Sequence, residues 1–284
     1  MIPVVRSHSM FGATGRRFFN FRDSIAEIEK RVGGRLGVAV LDTSNATRID
    51  YRQDERFPMC STFKFLAAAA TLERVDAKKE RIDRRVAYGE KDLLDYAPIT
   101  KQHVTEGAMT LSALCAAALE YSDNTAGNLL LRELGGTAAV TRYARSINDD
   151  TTRLDRNEPT VNTALPGDVR DTTTPAAMVA DMRAILLGDA LSEASRQQLI
   201  AWLVANTTGN ARLRAGVPEA WRVGDKTGTG DRGATGDIAI MWPPSRQPIL
   251  AAVYMTETAA SLADRNAAFA AVGRVIAATV LAAR

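Results

Sequence analysis

Histidine and cysteine are almost missing from this 284-residue chain, which has two of each: His8 and His103, Cys60 and Cys115. Four such residues at those spacings form no zinc pattern, so a metal-dependent hydrolase is disfavoured and no metal or cofactor is implied. A Ser-His-Asp arrangement would have to draw on one of two histidines, and no G-x-S-x-G stretch occurs. A serine enzyme made from this chain therefore takes its base from a lysine or a carboxylate. An excess of one charge is lacking too. With 36 basic and 33 acidic residues the net charge is +3, which gives no reason to expect nucleic acid or an anionic membrane as partner. There is no internal repeat and no low-complexity tract.

What is present is ordinary globular composition, 46% hydrophobic and 24% charged, with ample length for a core. Residues 1–20 carry Arg16-Arg17 followed by aromatics, and Arg22 and Asp23 end any apolar run. They are read as a leader, expected to be disordered, and not as an intact signal peptide. Cys60 and Cys115 leave both a disulfide and two free thiols open, the free thiols being favoured, because sequence does not supply the Cα–Cα distance.

Helical spacing of apolar residues runs from Asp23 to Val32 and stops at Gly33-Gly34. Leu36–Leu41 and Ala46–Arg52 read as a hairpin. A helix-rich middle follows, with segments at 63–75, 111–120, 125–134, 175–187 and 192–205. Then the period changes to strands at 221–227, 236–242 and 249–256, and a last helix covers about 262–282. Asp264, Arg265 and Arg274 exclude that helix as a membrane span. Strands thus come from both ends and helices from the middle. The expected fold is α/β of the α+β type: an antiparallel sheet flanked by terminal helices, with an inserted all-helical lobe. The sheet lobe would take residues 21–58 and 206–284, the helical lobe 59–205, with a small-molecule cleft between them.

Three short motifs carry chemistry. Ser61-Thr62-Phe63-Lys64 is an S-x-x-K at a helix start, where the two side chains share a face and backbone dipoles favour negative charge near the serine. Lys64 is placed to deprotonate Ser61 if its own pKa is depressed. Ser122-Asp123-Asn124 lies between two helices, and Lys226-Thr227-Gly228 lies on a strand. Taken singly, each is more often a capping residue or a solvated lysine. Together and in this order, S-x-x-K, S-D-N and K-T-G mark class A β-lactamases and penicillin-binding proteins. Gly228 to Gly233 also fits G-x-G-x-x-G, but a strand follows it where a dinucleotide site needs a helix.

Between Arg153 and Asp171 a polar stretch holds Glu158-Pro159 and, four residues after Glu158, Asn162. A hydrolase needs a base beside its ester and a partner for the attacking water, and these residues have the types and spacing for both. On all these motifs the chain resembles the class A serine β-lactamases from about Phe21 to the C-terminus.

The resemblance implies hydrolysis of the β-lactam amide of penicillins and cephalosporins, conferring resistance, with the substrate as sole partner. It implies an acylated Ser61, Lys64 as its proton-transfer partner, and Glu158 with Asn162 holding the hydrolytic water. Whether Lys64 or Glu158 takes the first proton stays open. Ser122 would relay a proton to the leaving nitrogen, and Asn124 would bind the substrate side chain. Lys226 and Thr227 would bind the substrate carboxylate, beside Gly228. The amides of Ser61 and Thr229 would form the oxyanion hole, and Tyr96 would wall the cleft. The resemblance further implies an Arg156–Asp171 ion pair, a cis Glu158–Pro159 bond, and a periplasmic or secreted monomer.

Departures are informative. Thr235 stands where many members carry arginine, and Arg212 resembles the arginine that others use for carboxylate binding instead. Gly230 stands where some carbapenem-hydrolysing members carry a cysteine that bridges to the position of Cys60, which puts carbapenem hydrolysis in doubt. A D-alanyl-D-alanine peptidase and a non-catalytic β-lactam sensor are the competing readings. Both would be expected to lack Glu158 and Asn162 in their loop.

Overall fold

The computed structural model describes residues 20–282. The leader reading thus lies outside the described residues except for Asn20, which caps the first helix. Helix α1 (Phe21–Val32) starts where the Asn20 side chain accepts the Arg22 amide. It ends at Gly33, whose φ of 73° suits a glycine.

Strands β1 (Arg35–Asp42) and β2 (Thr47–Tyr51) form the hairpin. Strands β7 (Arg222–Thr229), β8 (Thr235–Trp242) and β9 (Ile249–Thr256) complete a sheet of order β2-β1-β9-β8-β7, antiparallel throughout. Strand β1 pairs with β9, so the two ends of the chain close one sheet.

Strict alternation divides the buried strands between two cores. Val38, Val40, Ala251, Val253 and Met255 face α1 and the closing helix α9 (Leu262–Ala282). Ala39, Leu41, Leu250, Ala252 and Tyr254 face the helical lobe. Both faces are covered, which is why Leu36–Leu41 reads as a continuous apolar run. Helix α9 is long and apolar enough by composition to cross a membrane, but Phe269, Val272, Ile276 and Val280 pack into the sheet-side core.

The lobe between β2 and β7 is built round α2 (Phe63–Asp76), buried on every side from Phe63 to Leu72. Helices α3 (Leu111–Glu120), α4 (Asn124–Leu134), α5 (Ala138–Ser146), α6 (Pro175–Leu186) and α7 (Glu193–Val204) surround it. The lobe is not purely helical. Strands β4 (Arg85–Ala87) and β5 (Ala108–Thr110) form a ribbon within it, and β3 (Phe57–Pro58) pairs with β6 (Thr172–Thr173) at its border. These pieces are too short to show a period. A one-turn helix α8 (Leu213–Gly216) leads back to the sheet.

Candidate active site

A cleft of about 400 Å³ opens between the lobes, lined among others by Ser61, Tyr96, Ser122, Asn124, Asn162, Arg212, Thr227, Gly228 and Thr229. Ser61 lies in a tight 3₁₀ turn (Cys60–Thr62) that runs straight into α2. Cys60, just before it, has a φ of 45°, a left-handed conformation rare outside glycine that marks a constrained backbone.

Lys64, one turn on, is fully buried, and its Nζ donates to Ser61 Oγ at 2.9 Å, Ser122 O at 2.8 Å and Asn124 Oδ1 at 2.7 Å. It also lies 3.0 Å from Glu158 Oε1. The Ser61 hydroxyl donates to that same Oε1 at 2.7 Å. Serine, lysine and carboxylate thus form one triangle. Gly127 on α4 leaves room for it: a Cβ there would come within 2.7 Å of Lys64 Cε.

The triangle explains the charge states. Burial pulls the Lys64 ammonium below its ordinary value, against the opposing charge of Glu158. Burial also works to raise the Glu158 carboxyl. The Lys64 charge and hydrogen bonds from Ser61, Lys64 and Asn162 outweigh it and hold Glu158 below the usual carboxylate range. Glu158 is therefore a carboxylate, able to accept a proton.

The backbone of Glu158 is clamped by Asn128 on α4, which accepts its amide and donates to its carbonyl, both at 2.9 Å. Asn162 Nδ2 donates to Glu158 Oε2 at 2.5 Å. The other end of that amide, Asn162 Oδ1, is buried and finds no donor among the described residues. Arg156 Nε meets Asp171 Oδ2 at 2.5 Å across the neck of the loop, and the Glu158–Pro159 bond is cis.

Ser122 adopts a φ of 58° between α3 and α4. Asp123 beside it is a true cap, accepting Ala126 N at 2.8 Å while its other oxygen takes the amides of Ile99 and Thr100. The motif therefore combines both readings: Asp123 builds, and Ser122 and Asn124 face the cleft. Lys226 Nζ donates to Ser122 Oγ at 2.9 Å and to Thr227 O at 2.7 Å. It is fully buried, and burial together with Lys64 and Arg212 drives it well below its ordinary value. Tyr96 stands exposed at the rim, its hydroxyl on Tyr121 O.

Arg212, expected to bind the substrate carboxylate, lines the cleft. Its guanidinium is buried and engaged with Gly228 O, Gly236 O, Thr229 Oγ1 and Asn266 Oδ1, which occupies four of its five N–H groups. It reaches the cleft chiefly through Thr229. The cysteines are both buried and free.

Sequence reasoning missed Asn128, Gly127, Thr208 and Asn266. Asn128 stands four residues after Asn124 on the same helix, a helical spacing that could have found it. Thr208 Oγ1 lies 2.5 Å from Thr227 Oγ1 through a loop that carries no such signal.

Comparison with known proteins agrees with this geometry. The pattern of the β-lactamase enzyme family matches residues 20–280. The chain is 50% identical over 252 residues to β-lactamase OXY-2 of Klebsiella oxytoca, covering 89% of this chain and 87% of that one. It is also 50% identical to β-lactamase CTX-M-8 of Citrobacter amalonaticus, covering 90% and 87%. Among solved structures, an ancestral class A β-lactamase superposes with a TM-score of 0.90 at 62% identity, covering 92% of this chain and all of that one. A putative class A β-lactamase, PenP, from Rhodopseudomonas palustris gives 0.89 at 56%, covering 91% and 99%.

Proposed function

This chain belongs to the β-lactamase enzyme family, as a class A serine β-lactamase, and from that premise we propose how its residues open and release a β-lactam. Ser61 Oγ attacks the ring carbonyl carbon while its proton passes into the Lys64–Glu158 pair, either member of which can receive it, Glu158 Oε1 from 2.7 Å and Lys64 Nζ from 2.9 Å. Lys64 supports the developing alkoxide from 2.9 Å. The C–N bond then breaks, and Ser122, backed by Lys226, delivers a proton to the leaving nitrogen; the proton taken from Ser61 is handed back through Lys64 to Ser122, which leaves Glu158 a carboxylate for the second step.

The amides of Ser61 and Thr229 hold the oxyanion; one such donor is worth about 3 kcal/mol in related chemistry. Lys226, Thr227 and the Thr229 hydroxyl take the substrate carboxylate, with Arg212 holding Thr229 in place. Asn124 and Tyr96 receive the acyl side chain.

The observation that carries hydrolysis, as opposed to a lasting acyl-enzyme, is the unmet Asn162 Oδ1 beside Glu158. A buried acceptor without a protein donor marks a place for a ligand proton. Together with the Glu158 carboxylate it holds a water against the ester carbon. Glu158 takes one water proton, the hydroxide adds to the carbonyl, and Ser61 leaves with the proton back on its oxygen.

Penicillins and cephalosporins are the proposed substrates, and a periplasmic or secreted monomer the working form. A carbapenemase-type bridge is absent from this reading, because Gly230 faces Cys60 Sγ: a Cβ there would lie 2.7 Å away.

The test is turnover of benzylpenicillin followed by absorbance, with intact-protein mass measured alongside. The wild type should turn over many equivalents with little adduct, and Ser61→Ala should neither turn over nor gain mass. A stoichiometric, long-lived wild-type adduct, or an acylated Ser61→Ala, would overturn the reading.

A further inference from the structure

The turn between β7 and β8 touches the loop that carries Glu158 at two successive carbonyls. Asp231 N donates to Asn162 O at 2.9 Å, and Arg232 Nη1 donates to Thr163 O at 2.5 Å. The approach is close enough that a Cβ at Gly230 would fall within 2.7 Å of Asn162 O. Arg232 holds a φ of 52°, followed by Gly233 at 74°, so its backbone occupies a region that ordinary side chains avoid. That conformation aims the guanidinium at the loop. Its own carbonyl meanwhile accepts Thr258 N at 3.3 Å, just beyond β9. On the far side, Arg156 Nη1 donates to the Thr163 hydroxyl at 2.9 Å. Thr163 is thus gripped by two arginines, and the residue before it is Asn162.

We propose that Arg232 is a positioning residue for hydrolysis of the acyl-enzyme: its bond to the Thr163 carbonyl, beside the Asp231–Asn162 bond, fixes Asn162 against the sheet and so sets where the attacking water sits. The inference rests on the roles given above to Glu158 and Asn162. Acylation needs Ser61 and Lys64, which meet Glu158 at Oε1, on the other side of the carboxylate from Asn162. Release of the acyl group needs Asn162 as well. Loss of the latch therefore slows the second step and spares the first. Asp231 N and Arg156 keep their own bonds, so the loop stays anchored.

The experiment compares wild type, Arg232→Ala and Arg232→Lys on benzylpenicillin, with rapid-quench mass spectrometry to time formation and decay of the adduct. Arg232→Ala should slow adduct decay roughly threefold to tenfold, the scale of one lost hydrogen bond and a small misplacement. Formation should be unchanged. Steady-state kcat and KM should fall together with kcat/KM preserved, the mark of slowed deacylation. Arg232→Lys should recover part of the decay rate. The proposal is overturned if decay in Arg232→Ala matches wild type, or if adduct formation slows equally. Glu158→Gln serves as the control on the underlying reading. If that variant fails to accumulate adduct, the roles of Glu158 and Asn162 fall, whatever Arg232 does.

Discussion

Two clusters of charge lie equally deep in this molecule and are finished in opposite ways. At the cleft, Lys64 and Glu158 answer each other across 3.0 Å. Asn162 Oδ1, left unmet there among the described residues, lines the cavity where substrate and water are proposed to bind, and Lys226 nearby has hydrogen-bond partners but no ion-paired carboxylate among those residues. Behind α2, Asp149 and Asp181 form no ion pair among the described residues. Asp181 is 1% exposed, and among the described residues its two oxygens, Asp149 Oδ2 and the Tyr143 hydroxyl have no hydrogen-bond partner. Burial first, then the charge and hydrogen bonding of Asp149, push the Asp181 carboxyl well above its ordinary value, with Arg145 opposing. A proton on Asp181, donated to Asp149, would complete this second cluster. The difference teaches how to read an unmet buried group. One that faces a cleft points to a ligand; one enclosed by its own kind points to a bound proton.

The largest effect should come from emptying the first cluster of its waiting charge. Lys226→Ala removes the proposed carboxylate partner, and kcat/KM for benzylpenicillin should fall by about a hundredfold or more, from a loss of about 3 kcal/mol. The midpoint of urea unfolding should not fall, because a buried cation set against Lys64 and Arg212 is itself costly. A variant that kept its activity but lost stability would reverse the comparison.

A smaller effect, of opposite kind, is expected behind α2. Asp181→Asn supplies a permanent donor to Asp149 Oδ2 and should raise stability at pH 8 by about 1–3 kcal/mol, with turnover unchanged. Its signature is in the pH profile. Because the folded-state pKa of Asp181 is raised, the stability its proton provides is complete below the unfolded value near pH 4. It is lost as pH rises through the folded value, with a slope of up to about 1.4 kcal/mol per pH unit. Glu158, whose folded pKa is lowered, works the other way: its stabilisation is present above the unfolded value and lost as pH falls. Urea titrations across pH 5–9 should show the alkaline decline in the wild type and its flattening in Asp181→Asn. Parallel profiles for the two proteins would mean that Asp181 holds no shared proton.

Much of the architecture was legible because it repeats. The run Leu36–Leu41 and the period change near residue 221 gave the strands, and the paired ends of β1 and β9 followed from their positions at the two ends of the chain. Helix α5 was not legible, because its buried residues are only Val140, Tyr143 and Ala144, too few to stand out. The triangle of Ser61, Lys64 and Glu158 was legible as one S-x-x-K motif and one loop carboxylate whose residue types make sense together. The Arg212 contacts were not, since four of its N–H groups are taken by carbonyls and side chains from three separate segments. Nor was the Asp149–Asp181 pair. Asp181 sits among Met178, Val179 and Met182 on α6, and one acid in such a stretch gives no hint of which acid it will meet.

The most direct test of the central claim, that Glu158 and its loop release the acyl group from Ser61, is peptide-mapped mass spectrometry of Glu158→Gln after brief exposure to benzylpenicillin. The account predicts one stoichiometric adduct located on Ser61, persisting at least about a hundred times longer than in the wild type, the lower end of what a general base contributes. A variant that still turns over substrate at the wild-type rate, or an adduct on another residue, would contradict it.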